Sequence, residues 1–477
     1  VRFKGQESST NLNAVVAAVS DIGLQEIDRL PQDNSVVMRM SSADARAMAA
    51  RSDVAHIEID HRVWALGGTD DPLVSEQYAL EGLFSSRVTD AWKITVGSND
   101  ALVAVIDTGI DLNHPDLAAN IWRNTREIAG NGRDDDRNGF KDDVLGYDFV
   151  NRDASPQDDQ GHGTHVSGII SAVGNNARGV AGVAWGTKVI PIKALDWQGS
   201  GFNSDIVKGI DYVTDLRRKG VPVAVINLSL GGGGYSAALY RAVARARNHE
   251  ILIVAAAGND GENNDFVGSY PANFKLDNVI SVTATNAAGE LPSYSNIGPS
   301  SVHLAAPGDE ILSTSLTDTS YGPYRKLSGT SMASPHVAGI VALIAAANPS
   351  LSLLQVRQIL FNNTQPLSSL TGKVITGGLS NAEASVAAAV GTAGATRVFG
   401  YVRKRSKGIA GVRITLRSRT DPSKRLAAKT AKDGSYLFKD VIPGAYSVKA
   451  QKSGLTFRST SVNAVASGLI RKSFTAR

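Results

Sequence analysis

The chain has 477 residues, 42% of them hydrophobic, with 49 Lys and Arg against 45 Asp and Glu, and about two to four globular domains are expected. Cysteine is absent, which excludes disulfides, thiolate metal sites and a Cys nucleophile together. No run of about 18 or more apolar residues occurs, so no bilayer-crossing segment is expected. The chain opens at Val1-Arg2-Phe3-Lys4 with no apolar export segment, and any signal peptide is expected to have been removed already.

Residues 1–66 read strand, helix, strand, strand, helix, strand. Asn11–Ile22 and Ser42–Arg51 carry helical spacing, and Leu24–Leu30, Ser35–Met40 and Val54–Asp60 alternate as strands. This βαββαβ order predicts a small ferredoxin-like α+β domain. Gly67-Gly68-Thr69-Asp70-Asp71-Pro72 breaks the pattern as a linker. Residues 73–390 then alternate helices with continuous apolar runs: Ala101–Ile106, Lys188–Lys193, Val223–Leu228, Ile251–Ala256 and Val279–Val282. Such runs fit an α/β domain whose parallel sheet is buried on both faces, with chemistry at the carboxyl ends of its strands. After the small-residue linker Gly391–Thr396, residues 398–477 read as an all-β sandwich, with Val412–Leu416, Tyr436–Phe438 and Tyr446–Ala450 alternating between turns.

Charge divides along the same boundary. From Val398 to Arg477 there are 18 Lys and Arg against three acids, Asp421, Asp433 and Asp440, which leaves 31 basic and 42 acidic residues upstream. A basic module is therefore joined to an acidic body, a composition suited to an anionic partner or simply to solubility.

Three segments concentrate chemistry: Ala-Val-Ile-Asp-Thr-Gly at 104–109, Gly-His-Gly-Thr-His at 161–165 and Gly-Thr-Ser-Met-Ala-Ser-Pro at 329–335. Serine is a weak nucleophile until a base takes its proton, and the base works best when a third group orients it. Asp107 closes a buried strand, His162 opens a helix, and Ser331 begins a long apolar helix whose free N–H groups favour negative charge. Pro335 is expected in the first turn of that helix, where proline is tolerated. Asn259, after Ala-Ala-Ala-Gly, joins the Ser331 N–H as the expected oxyanion donors.

These segments, with Ser-Leu-Gly-Gly at 229–232 and Tyr-Pro-Ala at 270–272, closely resemble the subtilisin-like serine proteases over residues 73–390. The resemblance implies a peptide-bond hydrolase with Asp107, His162 and Ser331 as its triad; His165 and His336 are then structural. It further implies that Ser229-Leu230-Gly231 pairs with the substrate backbone. Ala256 and Gly258 would stand opposite, around a pocket for large apolar side chains. Residues 1–66 resemble the inhibitory propeptide of that family, with cleavage expected between Leu66 and Gly67, Leu66 in the primary pocket and Val63 in the fourth. Residues 67–390 would be the catalytic domain.

Gly174-Asn175-Asn176-Ala177-Arg178-Gly179-Val180 resembles the family's calcium loop. Calcium would be held there by the carbonyls of Gly174, Arg178 and Val180, the Asn176 amide and Asp116, with Asp71 or Gln77 as the N-terminal ligand. The gap from Asp107 to His162 also holds Asp134, Asp136 and Asn138 before Gly139, the D-x-D-x-N-G start of an EF-hand loop. Its twelfth position is Leu145, not Glu, so Asp142 or Asp143 would substitute; the alternatives are a second calcium and a solvated acidic loop. The tail resembles carboxypeptidase-regulatory-like (prealbumin-like) modules, which suit adhesion to an anionic surface, an export appendage or a spacer. No aromatic stacking motif favours nucleic acid.

The leading expectation is a secreted, calcium-stabilised serine endopeptidase made as a self-cleaving zymogen, with protein or peptide substrates and its own propeptide as inhibitor. The alternatives are a dibasic-specific processing protease, against which Leu66 speaks, and a silent binding protein that uses the basic tail. A metalloprotease is disfavoured, because the His-Glu at 249–250 has no second His.

Overall fold

The structure, a computed structural model, describes residues 69–391 without a break, most of 396–476, and nearer the N-terminus 2–3, 25–30, 35–39, 42–49, 51 and 54–57. The chain divides into two compact units, Val1–Gly67 and Gly68–Arg477.

In the first unit, strands β1 (Arg2–Phe3), β2 (Gln25–Leu30), β3 (Ser35–Arg39) and β4 (Val54–His56) form an antiparallel sheet in the order β2-β3-β1-β4. Helix α1 (Ser42–Ala49) follows β3 and buries Met48. The order interleaves early and late strands, as a split β-α-β chain does. The helix expected over Asn11–Ile22 lies outside the described residues. So do Val63, Leu66 and Gly67, and with them the expected cleavage point.

The second unit is built on nine strands in the order β14-β15-β11-β10-β9-β8-β5-β7-β6. They are β5 (Leu102–Asp107), β6 (Tyr147–Asp148), β7 (Val189–Lys193), β8 (Val223–Leu228), β9 (Leu252–Ala256), β10 (Val279–Thr285), β11 (Leu304–Pro307), β14 (Gln365–Pro366) and β15 (Gly378–Leu379). All pairings but β14 with β15 are parallel. A separate hairpin joins β12 (Ile311–Thr314) to β13 (Tyr324–Leu327).

Period-two alternation explains why β5 reads as an unbroken apolar run. Val103 and Val105 enter one core, with α2 (His162–Ser171) and α5 (Thr330–Ala347). Leu102, Ala104 and Ile106 enter the other, with α3 (Asn203–Arg218) and α4 (Ala237–Asn248). Among the described residues α5 alone is long and apolar enough to cross a membrane, and it is the buried central helix of the first core.

Among the described residues of the tail there are nine strands, β16 (Thr396–Lys404), β17 (Lys407–Gly408), β18 (Arg413–Ser418), β19 (Arg425–Lys429), β20 (Ser435–Val441), β21 (Gly444–Gln451), β22 (Thr460–Ala464), β23 (Gly468–Arg471) and β24 (Phe474–Thr475). One sheet is organised around β16 and the other runs β19-β18-β21-β22. Their inward residues, Val398, Ile414, Leu416, Phe438 and Val448 among them, make a core of their own.

Candidate active site

Asp107 is the last residue of β5 and is wholly buried. Its Oδ1 accepts the backbone N–H of Thr108 at 2.8 Å and faces Nδ1 of His162 at 2.7 Å. His162 is the first residue of α2, entered through Gly161 at φ 101°, a conformation that disfavours any side chain. Burial works against the charged form of the His162 ring. The Asp107 carboxylate, by charge and hydrogen bond, and Asp158 outweigh it and hold the pKa above the usual histidine value. His165 and His336 are buried instead against carbonyls, the first bonded to Ile311 and Arg325 and the second to Met332, and burial lowers their pKa values to about 3 and about 4. Both are neutral packing groups at ordinary pH.

Ser331 is the second residue of α5. Its Oγ donates to the carbonyl of Ser229 at 3.2 Å, and no hydrogen bond joins it to His162 among the described residues. Bonds between a nucleophile and its base commonly tighten only with substrate in place.

The position of Pro335 differs from expectation. The helix starts at Thr330, so Pro335 falls in its second turn and its missing N–H leaves the Ser331 carbonyl without an intrahelical donor. Ser229 Oγ fills that vacancy at 2.7 Å. Asn227 Nδ2 in turn donates to Ser229 Oγ at 2.9 Å, and Ser334 Oγ to Asn227 Oδ1 at 2.7 Å. The end of β8 is thereby tied to the start of α5. Sequence spacing gives no sign of this chain of bonds.

Asn259 follows β9. Its Oδ1 accepts both the N–H and the hydroxyl of Thr330, at 2.8 and 2.9 Å, which leaves Nδ2 as the open donor beside Ser331. A Cβ at Gly329 would stand 3.3 Å from that Nδ2 and crowd it. Gly258, at φ 114°, turns the chain into this position, and a side chain there would meet Asn296 Nδ2 at 2.4 Å. Asn296 braces the loop by accepting the N–H groups of Asp260 and Glu262. Ser229, Leu230 and Gly231 leave β8 on one side, and Ala256 and Gly258 leave β9 beside it. The assembly has the parts for acyl transfer: hydroxyl, oriented imidazole, buried carboxylate and amide donors.

The sequence model of the Subtilase family matches residues 98–402. This chain belongs to that family. A thermophilic serine proteinase of Bacillus sp. (strain AK1) is 39% identical over 371 residues, covering 77% of this chain and 82% of that protein. Thermitase of Thermoactinomyces vulgaris is 38% identical over 300 residues, 63% of this chain and 92% of the relative. An extracellular protease of Xanthomonas campestris pv. campestris is 37% identical over 398 residues, of whose length the chain spans 66%. Among solved structures, a protease of Pseudoalteromonas arctica PAMC 21717 superposes with a TM-score of 0.58 at 33% identity, over 68% of this chain and 100% of that one. Residues 396–470 match a second family, described as the second beta sandwich domain of NOMO1-like BOS complex subunits.

Two acidic regions of this subtilase have the chemistry of cation sites. In the first, buried Asp116 accepts Asn176 Nδ2 at 2.8 Å and the Val180 N–H at 3.0 Å, while Asp71 accepts the N–H groups of Asn175 and Asn176. The Asn176 Oδ1 is buried without a partner among the described residues, and burial raises the Asp116 pKa. Gln77 is committed elsewhere, to the backbone of Ala181 through both ends of its amide.

In the second region, carboxylate oxygens of Glu127, Asp134 and Asp136 lie within 4.8 Å of one another. Glu127 precedes the D-x-D-x-N-G segment and was not picked out by its spacing. Asp143, expected as a ligand, is bonded to Tyr212 and Asn138, and burial pushes its pKa up to about 6. Lys219 stands 3.4 Å from Asp136 and supplies one positive charge to the group.

Proposed function

We propose that this subtilase is a secreted serine endopeptidase, stabilised by calcium and made as a zymogen that cuts itself after Leu66. The observation that carries the reading is the 2.7 Å bond to a wholly buried carboxylate from His162, on a helix that shares its core with the helix headed by Ser331. Asp107 keeps the proton on Nδ1, so Nε2 is the basic nitrogen. It takes the Ser331 proton as Oγ attacks the scissile carbonyl, then returns it to the leaving amine. Asn259 Nδ2 and the Ser331 N–H stabilise the oxyanion, and water attacking the acyl-enzyme regenerates Ser331 by the same relay. The backbone of Ser229–Gly231 and of Ala256–Gly258 walls a primary pocket suited to large apolar side chains.

On this reading residues 1–66 inhibit the enzyme until cleavage, residues 67–390 carry the chemistry, and residues 398–477 hold it to an anionic partner. The division of the chain after Gly67 and the separate core of the tail support that partition. Extracellular relatives support secretion.

Calcium fits the first acidic region, because the orphaned Asn176 oxygen and the burial-stressed Asp116 both need a positive neighbour. Asp116, Asn176 and the carbonyls of Gly174, Arg178 and Val180 would hold it, with Asp71 securing the loop. A hard cation supplies stability there by binding only the folded state. A second ion would sit among Glu127, Asp134 and Asp136, with Asn138 and Asp143 behind them.

A fluorophosphonate probe tests the chemistry. It is expected to label the full chain at Ser331 and to spare Ser331→Ala; an unlabelled wild-type chain would overturn the reading. Mature enzyme whose N-terminus is not Gly67 would overturn the cleavage assignment alone.

A further inference from the structure

The outer face of the β19-β18-β21 sheet is a field of like charge. Along β18 the residues Ile414 and Leu416 point into the core, whereas Arg413 and Arg417 are exposed. Pairing places Arg413 opposite Lys429 on β19 and Gln451 on β21, Thr415 between Ala427 and Lys449, and Arg417 between Arg425 and Ser447. Arg413, Arg417, Arg425, Lys429 and Lys449 are all exposed. Two directly opposed pairs, Arg413 with Lys429 and Arg417 with Arg425, are both cationic. Like charges in that register destabilise a sheet, so stability alone does not account for Arg413 opposite Lys429. Among the described residues no carboxylate forms an ion pair with Arg413, Arg425, Lys429 or Lys449.

We propose that this face docks an acidic polysaccharide, an extended chain bearing carboxylate or sulfate groups. The inference rests on the anchoring role given above to the basic module and names its surface and partner. Charge complementarity selects an anion. Strands lie about 4.8 Å apart and alternate residues on one strand about 6.8 Å apart, so the cations form rows that an extended polymer can follow. Thr415 and Gln451 stand between them and offer a hydroxyl and an amide to sugar hydroxyls. No aromatic or large aliphatic side chain stands in these three rows, which disfavours base stacking and insertion into a bilayer.

The full chain carrying Ser331→Ala, which cannot digest itself, is the material for the test. Its binding is measured to heparin, polygalacturonate, duplex DNA and phosphatidylserine vesicles across a salt series. Arg413→Glu/Lys429→Glu/Lys449→Glu reverses the face, and Lys404→Glu/Lys407→Glu/Lys432→Glu makes the same charge change at exposed sites outside it.

The face variant is expected to lose about tenfold or more in affinity for heparin or polygalacturonate, with a salt dependence flatter by about three charges. The control variant is expected to change little, and in an active background both should cleave a short peptide like the parent. Equal losses in the two variants would overturn the face, and tighter binding to DNA or vesicles than to either polysaccharide would overturn the partner. If the full chain binds none of the four, the anchoring role itself fails. Should the triple reversal unfold the module, Lys429→Glu and Lys449→Glu alone give the same comparison.

Discussion

The cleft and the tail handle polar groups in opposite ways. Around Asp107, Asn227, Ser229 and Asn259 most donors and acceptors are committed to a neighbour, Asp107 Oδ2 and Asn259 Nδ2 excepted, and the commitments end on the residues proposed to do the chemistry. On the outer sheet face of the tail, side chains of one sign stand side by side. A reaction centre requires groups fixed before the substrate arrives, whereas a docking face requires groups left uncommitted until the partner does. On the readings proposed above, one chain uses both solutions.

Asp107→Asn strikes the cleft hardest. Removing the charge that selects the imidazole tautomer is expected to lower kcat about 10⁴-fold with the fold intact, read by peptide hydrolysis and circular dichroism. A loss under tenfold would mean the 2.7 Å contact does not orient the base. Asn259→Ala is expected to reduce kcat by about 10²–10³-fold at nearly constant KM, since its Nδ2 acts on charge that develops only during reaction.

Chelation reaches the framework rather than the chemistry. Where calcium stands about 100 to 1,000 times above its Kd, removing it should cost about 3–4 kcal/mol, read as a fall in Tm. Asp116→Asn is expected to abolish most of that response, and a full response in the variant would move the ion elsewhere.

The pH dependence is a subtler difference. His162 must be neutral to act as base, and its pKa lies above the usual histidine value, so kcat/KM should climb with pH through a midpoint above about 6.5. The raised pKa also means that the His162–Asp107 pairing stabilises the fold most at low pH and less as pH rises through that midpoint. In Asp107→Asn burial acts with less opposition, and NMR titration of the ring should report a lower midpoint.

Much of the body was legible in advance because buried parallel strands leave unbroken apolar runs; Val223–Leu228 has the same bounds in sequence and structure. The placement of Asp107, His162 and Ser331 at element ends was likewise visible in their flanking residues. Three features were not. Pro335 was expected in the first turn because a helix start can shift by a residue without changing an apolar pattern; the helix begins at Thr330, and the real position of Pro335 frees a carbonyl that Ser229 fills. Glu127 escaped because acidic residues converge in space without regular spacing. Asn296 supports the Asn259 loop from beyond β10, a contact that only the folded chain creates.

The strand order of the large sheet has a consequence for how long the molecule lasts. Val103 of β5 sits against Val225 of β8, so its centre forms only after well over a hundred intervening residues have been threaded back. Closures of that span make assembly slow. Where disassembly must cross the same kind of barrier, working life among digestive neighbours is governed by the unfolding rate more than by the equilibrium between folded and unfolded forms.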